Sequence, residues 1–354
     1  MNSPIQKILF GSPGTGKSHW IDHEIIPKEL GINKEEEPEN IIKTVFHPEY
    51  THGDFMGKLV PITRSGKVEY NFYEGDFLKA LSQAYKNIIA TYDSQGKPIE
   101  GCVAKNVVLV IDEINRGNSA AIFGPVFQLL DRNDKDNDKY QGWSTYCINV
   151  NEMVCIKILS LIGIDFSYEK KDEEYTLNSR NYSLEKIHEK IKFLNFDLKN
   201  RTIKLPCNLS ILATMNTSES SIYYMDSAFK RRWEWEFMDI DSQPVCEQGE
   251  AFASESEWRN FASKLNAFIK SKSKYIRGIE DKQIGYYFIQ GKKIKKKTIQ
   301  NKLMFFLWDN VFTRDKKPLI QLLGLEDAKD NDQLVTFGDF AKKVDLFIEK
   351  IKNV

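Results

Sequence analysis

The sequence predicts an α/β fold: a parallel sheet flanked by helices, with an insertion ahead of a late core strand and a helical C-terminal subdomain. Three stretches predict it. Lys7–Ser18 is an apolar run opening into a glycine-rich turn, Asn106–Glu113 is a β-branched apolar run ending in two acids, and Leu205–Asn216 is an apolar run ending in a polar residue. Continuous apolar runs without alternation suit strands covered on both faces, as parallel sheets require.

The turn Gly11-Ser12-Pro13-Gly14-Thr15-Gly16-Lys17-Ser18 fits G-x-x-x-x-G-K-[ST], with His19–Ile26 able to continue as a helix. Glycines let successive backbone N–H groups curl around a polyphosphate, and the helix N-terminus adds its positive end to the same anion site. Lys17 is expected to reach the β- and γ-phosphates. The Ser18 hydroxyl is expected to take one position on Mg²⁺, a hard cation held by few protein oxygens plus the phosphates.

Ile41–Phe46 reads as the second strand. The segment from Phe46 to Gly57 is dense in aromatics, histidine and short polar residues. His47 and His52 could ligate a metal, but no cysteine or carboxylate cluster completes a site; a loop near the nucleotide or at a subunit contact is the alternative. Leu78–Tyr92 has apolar residues at helical spacing. The strand ending in Asp112 and Glu113 puts both acids beyond its carboxyl end, where ligands of open α/β sheets bind. Asp112 is expected to hold Mg²⁺, and Glu113 to orient and polarise the attacking water as general base. Arg116 follows at once, either as a surface arginine or as a guanidinium that meets developing negative charge.

A helix is expected over Ser119–Leu130. The charged run Arg132–Tyr140 then opens a segment reaching to about Arg201, with Leu184, Ile187, Ile191 and Leu194 at helical spacing, read as an insertion between core strands. Asn216 ends the next strand, placed to hold the lytic water or sense the γ-phosphate. Lys230-Arg231-Arg232 could be solvated, bind phosphate backbone or supply an arginine finger in trans. Beyond Asp241, lysine-rich helical stretches follow at Trp258–Lys270, Thr298–Phe312 and Phe337–Ile351, with the strongest basic run at Lys292–Lys297, which is either a solvated face or a contact for nucleic acid or an acidic partner.

Composition bounds the rest. The 354 residues hold 50 lysines and arginines against 50 aspartates and glutamates, so net charge gives no argument for nucleic-acid binding. Five scattered cysteines without a C-x-x-C pair argue against a zinc site or disulfide framework and suit a reducing cytoplasm. No apolar run is long enough to span a bilayer, and the N-terminus lacks a signal-peptide layout, so no membrane association is expected.

Taken together, Gly11–Ser18, Ile111-Asp112-Glu113-Ile114-Asn115-Arg116, Thr214-Met215-Asn216-Thr217 and Asp226–Trp233 resemble the Walker A, Walker B, sensor 1 and arginine-finger elements of AAA+ NTPases. With Phe46-His47-Pro48, Tyr50, Asp54-Phe55 and Ile284-Gly285-Tyr286, the chain more narrowly resembles the McrB family, the NTP-hydrolysing subunits of McrBC modification-dependent restriction systems. The resemblance implies a P-loop AAA+ core over residues 1–240, with the insertion at about 132–203, and a helical lid with a C-terminal extension over 241–354. It implies ATP or GTP as substrate with Mg²⁺, a ring assembly, typically a hexamer, and an McrC-like or nuclease partner, with DNA reached through that partner or a local basic patch. Gly11, Ser12, Pro13, Gly14, Thr15, Gly16, Lys17, Ser18 and Asp112 would bind the nucleotide and its metal, with Glu113, Asn216, Arg116 and either Arg231 or Arg232 in catalysis.

Two departures stand out. Where the family has Met-Asn-Thr-Ala-Asp-Arg-Ser, this chain has Glu219 for the aspartate and Ser220 for the arginine. The family's N-terminal DNA-reading domain has no counterpart here, so target recognition is expected to come from a partner or the insertion. A MoxR-like chaperone ATPase and a nucleotide-switched scaffold with little turnover are the competing readings.

Overall fold

A computed structural model describes residues 4–354 apart from 65, 94, 136–137, 168–173, 178, 218–222, 224, 226, 241–243, 245–247, 290–292 and 328–332. Glu219, Ser220, Asp226 and Lys292 therefore lie outside the described residues. The chain divides into two compact units, Met1–Ile8 with Gly16–Arg232, and Leu9–Thr15 with Trp233–Val354.

The first unit is built on strands with apolar residues on both faces. β1 (Gln6–Gly11) leads into the glycine turn and helix α1 (Lys17–Trp20), which continues as a wider π-type turn over Ile21–Glu29 containing Pro27. After β2 (Ile41–Val45), the short helix α2 (His52–Met56) is closed by a capping box in which the Thr51 side chain accepts from Asp54 N–H and Asp54 accepts from Thr51 N–H. A hairpin then pairs β3 (Gly57–Arg64) with β4 (Lys67–Glu74) along their whole length. The sequence reading missed it because most of its residues are exposed and no buried face imposes alternation. Helix α3 (Asp76–Ile89) buries Phe77, Leu81, Ala84 and Ile88 among other residues and packs against β2 and β5 (Val107–Asp112).

The expected helix over Ser119–Leu130 is broken. α4 (Ser119–Phe123) stops where Gly124 and Pro125 interrupt it, and Gly124–Leu130 continues in tighter 3₁₀ turns, since proline cannot donate a helical hydrogen bond. The inserted segment has its own architecture. Strands β6 (Ile148–Asn149) and β10 (Thr202–Ile203) pair antiparallel at its neck. Between them lie α5 (Glu152–Leu161), a three-stranded antiparallel meander of β7 (Ile164–Ser167), β8 (Glu174–Leu177) and β9 (Arg180–Tyr182), and α6 (Leu184–Ile191). As the spacing predicted, Ile187, Ile191 and Leu194 are buried.

The chain returns to the core through β11 (Leu209–Asn216), buried along its entire length. Both β11 and β2 pair with β5 in parallel, with Leu209 opposite Val107 through Ala213 opposite Ile111. Ahead of α7 (Ser227–Lys230) the sheet strands stand in the order β1-β11-β5-β2, and β12 (Glu234–Phe237) lies in the second unit.

The second unit packs an aromatic cluster in which Phe10 meets Trp235, Phe237, Phe305 and Phe337 at centroid separations of 4.2–5.7 Å. Its remaining elements are β13 (Glu250–Phe252), α8 (Glu255–Ser271), β14 (Ile294–Lys295), α9 (Lys296–Thr298) extended by π-type turns over Ile299–Met304 and Leu307–Val311, α10 (Lys317–Leu323), α11 (Phe337–Ala341) and α12 (Val344–Lys352). The single helix expected over Phe337–Ile351 is two, split at Lys342-Lys343, where Lys342 turns to pair with Asp239 at 2.5 Å. No helix among the described residues is long and apolar enough to cross a membrane.

The α2 cap gives a pH prediction. The Lys58 ammonium and the Thr51 hydroxyl hold the Asp54 carboxyl down to about 2, below its unfolded value of 3.8. Its stabilising effect is therefore fully present above the unfolded value and disappears as pH falls through the folded one. Asp54→Asn should cost about 1 kcal/mol at pH 7 in chemical denaturation, and the gap to wild type should close between about pH 4 and pH 2.

Candidate functional site

The turn after β1 uses backbone conformations that side chains resist. Gly14 and Gly16 have φ of 80° and 75°, and Gly16 is the residue from which α1 starts. Thr15 tightens the turn by donating its hydroxyl to Ser12 O at 3.0 Å. Lys17 opens the helix with its side chain largely buried, while Ser12, Pro13, Gly14 and Ser18 remain exposed. Amides at an open helix N-terminus next to an exposed turn make an anion cradle.

Beyond the carboxyl ends of β5 and β11 the side chains form one network. Ser18 donates its hydroxyl to Asp112 Oδ1 at 3.1 Å. Asp112 Oδ1 also accepts from the Thr214 hydroxyl at 3.0 Å, and that hydroxyl accepts from Glu113 N–H at 3.1 Å. Asn216 Nδ2 donates to Glu113 Oε1 at 2.5 Å, and Asn115 Nδ2 donates to Asn216 O at 2.8 Å. The structure thus brings Ser18, Asp112, Glu113 and Asn216 together.

Thr214 and Asn115 were missed as site residues. Thr214 could have been found by stepping back two residues from Asn216, because alternate residues of a strand share a face. Asn115 carried no such signal, since its role depends on a turn.

A divalent cation fits this arrangement. A hydroxyl and a carboxylate 3.1 Å apart, with Ser18 open to solvent, are hard oxygen donors of the kind Mg²⁺ takes alongside phosphate and water. Among the described residues no group of three or more histidines, cysteines or acids gathers as a metal cage. His52, one of the two histidines weighed as a ligand, instead faces the Ile122 carbonyl through Nδ1 at 2.8 Å.

The three arginines differ in placement. Arg116 is exposed on the turn that follows Glu113. Arg231 is exposed at the end of the α7 turn. Arg232 is held within its own unit: it pairs with Asp131 at 2.7 Å, donates to Ala228 O at 2.8 Å, and lies 3.9 Å from the centre of the Phe127 ring, with a side chain only 9% exposed. A finger must reach outward, so Arg232 is ill placed for that work. Asp131 and Phe127, which hold it, come from a loop and a 3₁₀ turn that no sequence pattern linked to it.

Three lysines of the run weighed as a solvated face or a contact make ion pairs inside the second unit. Lys293 pairs with Glu250 at 2.8 Å, Lys296 with Asp345 at 2.8 Å, and Lys297 with the buried Glu236 at 2.5 Å. Lys293 and Lys295 of the run remain exposed.

No protein-family model matches the chain. It is 28% identical over 371 aligned residues, covering 94% of this chain and 88% of the relative, to the type II restriction enzyme BsuMI component YdiS of Bacillus subtilis (strain 168). It is 23% identical over 236 residues, 66% of this chain, to the type IV methyl-directed restriction enzyme EcoKMcrB subunit of Escherichia coli (strain K12), of which it spans 35%.

The arginine placements separate two substitutions. Arg232→Ala strips Asp131 of its partner and should lower stability by about 2–3 kcal/mol, less than the loss of a fully buried pair because Asp131 keeps some solvent. Arg231→Ala, at an exposed position, should lower stability by less than Arg232→Ala does. Thermal unfolding of both variants checks this.

Proposed function

We propose that this McrB-like chain, with its P-loop α/β core, is the NTP-hydrolysing motor subunit of a prokaryotic restriction or anti-phage system. The observation that carries the reading is the network joining Ser18, Asp112, Glu113 and Asn216 at the strand ends behind the glycine turn. Its relatives in restriction systems support the same reading.

In this proposal the amides of Gly11–Ser18 cradle the phosphates of ATP or GTP, and Lys17 meets the β- and γ-phosphates. Ser18 and Asp112 would hold Mg²⁺, which when bound supplies positive charge to the phosphate oxygens. Glu113 takes a proton from the attacking water as the water oxygen bonds to the γ-phosphorus and the β–γ bridging bond breaks, with the electron pair leaving on the diphosphate. Asn216 fixes one carboxylate oxygen of Glu113 and so limits how far the base can swing. Arg116, and Arg231 from a neighbouring subunit, are the residues proposed to meet charge that develops on the γ-phosphate.

Residues 1–240 are proposed as the large α/β subdomain, interrupted by the insertion at about 132–203, and 241–354 as the lid with its C-terminal extension; the two compact units support a two-part organisation. Assembly into a ring, typically a hexamer, in the cytoplasm with an McrC-like or nuclease partner completes the proposal. The ion-paired state of Lys293, Lys296 and Lys297 favours DNA reached through the partner over DNA held by this run.

Two variants test the reading. Glu113→Gln should retain Mg²⁺–nucleotide binding while turnover falls by about 10²–10⁴-fold, the usual worth of a positioned base. Lys17→Ala should lose nucleotide binding itself, read by equilibrium binding of a fluorescent analogue. Wild-type protein that binds nucleotide but turns none over would instead favour the scaffold reading.

A further inference from the structure

Thr214 stands between the two acids that end β5, and chemistry fixes the direction of both its hydrogen bonds. A backbone N–H can only donate, so the hydroxyl oxygen accepts from Glu113 N, at 3.1 Å, and its proton goes to Asp112 Oδ1, at 3.0 Å. The same residue's carbonyl accepts from Ile114 N–H at 3.0 Å. Thr214 therefore grips the peptide groups on both sides of the Glu113 Cα.

Glu113 needs that grip. Its φ is 55°, in the left-handed region that non-glycine residues avoid. Anchoring the amide before and the amide after one Cα determines the two backbone torsions between them, and these set where the side chain points. Left to itself, the Glu113 backbone would relax toward an extended or right-handed conformation and the carboxylate would leave Asn216. Such strain persists where the surroundings over-determine it. The Thr214 side chain is almost wholly buried, so water cannot replace its hydroxyl.

We propose that Thr214 is a positioning residue for nucleotide hydrolysis, using its hydroxyl and its carbonyl to hold the Glu113 backbone in the left-handed turn that aims the base, and joining that base to the metal-side carboxylate of Asp112. The proposal rests on the NTPase reading above. Its hydroxyl is the part that mutation can remove, since the carbonyl is common to all residues.

The experiment compares full-length wild type, Thr214→Val, Thr214→Ala and Thr214→Ser in single-turnover hydrolysis at saturating Mg²⁺ and nucleotide, and in equilibrium binding of a non-hydrolysable triphosphate analogue. Valine keeps the shape and loses both bonds; alanine serves if valine does not fold. The expected result is a rate loss of about 10–100-fold for valine or alanine, the scale of an ångström-sized misplacement. Analogue affinity should stay within about threefold, and serine should restore the rate to within about threefold of wild type.

A second arm adds Thr214→Val to Glu113→Gln. With the base already gone, the valine change should cost no further rate, because both changes then remove one function. An unchanged rate in the single variants, a parallel fall of rate and analogue affinity, or full additivity in the double variant would overturn the proposal. Failure of the NTPase reading is seen separately, as absent hydrolysis in wild type, and takes this inference with it.

Discussion

The site depends on the register between β5 and β11. These strands run parallel with Ala213 opposite Ile111, which sets Thr214 and Asn216 against Asp112 and Glu113 just beyond. Because strand side chains alternate, a slip of one residue would turn Thr214 and Asn216 to the other face. A slip would also draw the polar strand ends into the space that Val107, Val108, Leu109, Ile111, Leu209, Ile211 and Leu212 fill, essentially without solvent exposure. Each such side chain is worth about 1.5–3 kcal/mol when buried. Non-directional packing, far larger in sum than any hydrogen bond at the site, thus places the polar atoms to within bonding distance.

Charge in this molecule is mostly committed locally. Asp131 and Phe127 hold Arg232, while Arg132, next to Asp131, is half-buried and donates to the carbonyls of Gly142, Pro206 and Leu209 at 2.8–3.1 Å. Burial without a carboxylate partner pushes the Arg132 guanidinium down to about 10, still charged at neutral pH. Arg132 therefore ties the loop after the 3₁₀ turn to the entry of β11, Arg232 ties the same loop to α7, and Arg231 beside Arg232 is exposed. Arg231 and Arg232, neighbours in sequence, thus differ in exposure and in what holds them.

Much of the core was legible because its signals are one-dimensional. An apolar run ending in Asp112-Glu113 is a buried strand with acids at its tip, and a glycine turn ending in Lys17-Ser18 opens a helix behind it. The structure also brought Ser18, Asp112, Glu113 and Asn216 into one network. What was not legible depends on the third dimension. The β3–β4 hairpin has too little burial to impress a pattern on its sequence, the Gly124-Pro125 break sits inside an otherwise helical spacing, and the partners of Arg232 and of the lysine run lie up to about a hundred residues away in sequence. The inserted meander was unreadable for the reason the hairpin was: short strands with mixed exposure give no period to detect.

The pairing of Lys293, Lys296 and Lys297 with Glu250, Asp345 and Glu236 reaches beyond the second unit's stability. In a chain whose formal net charge is +0, cations paired with nearby anions project a weaker field into solvent than bare ones. Toward a passing polyanion the three pairs act as dipoles rather than bare charges, and the exposed Lys295 adds its own charge beside them.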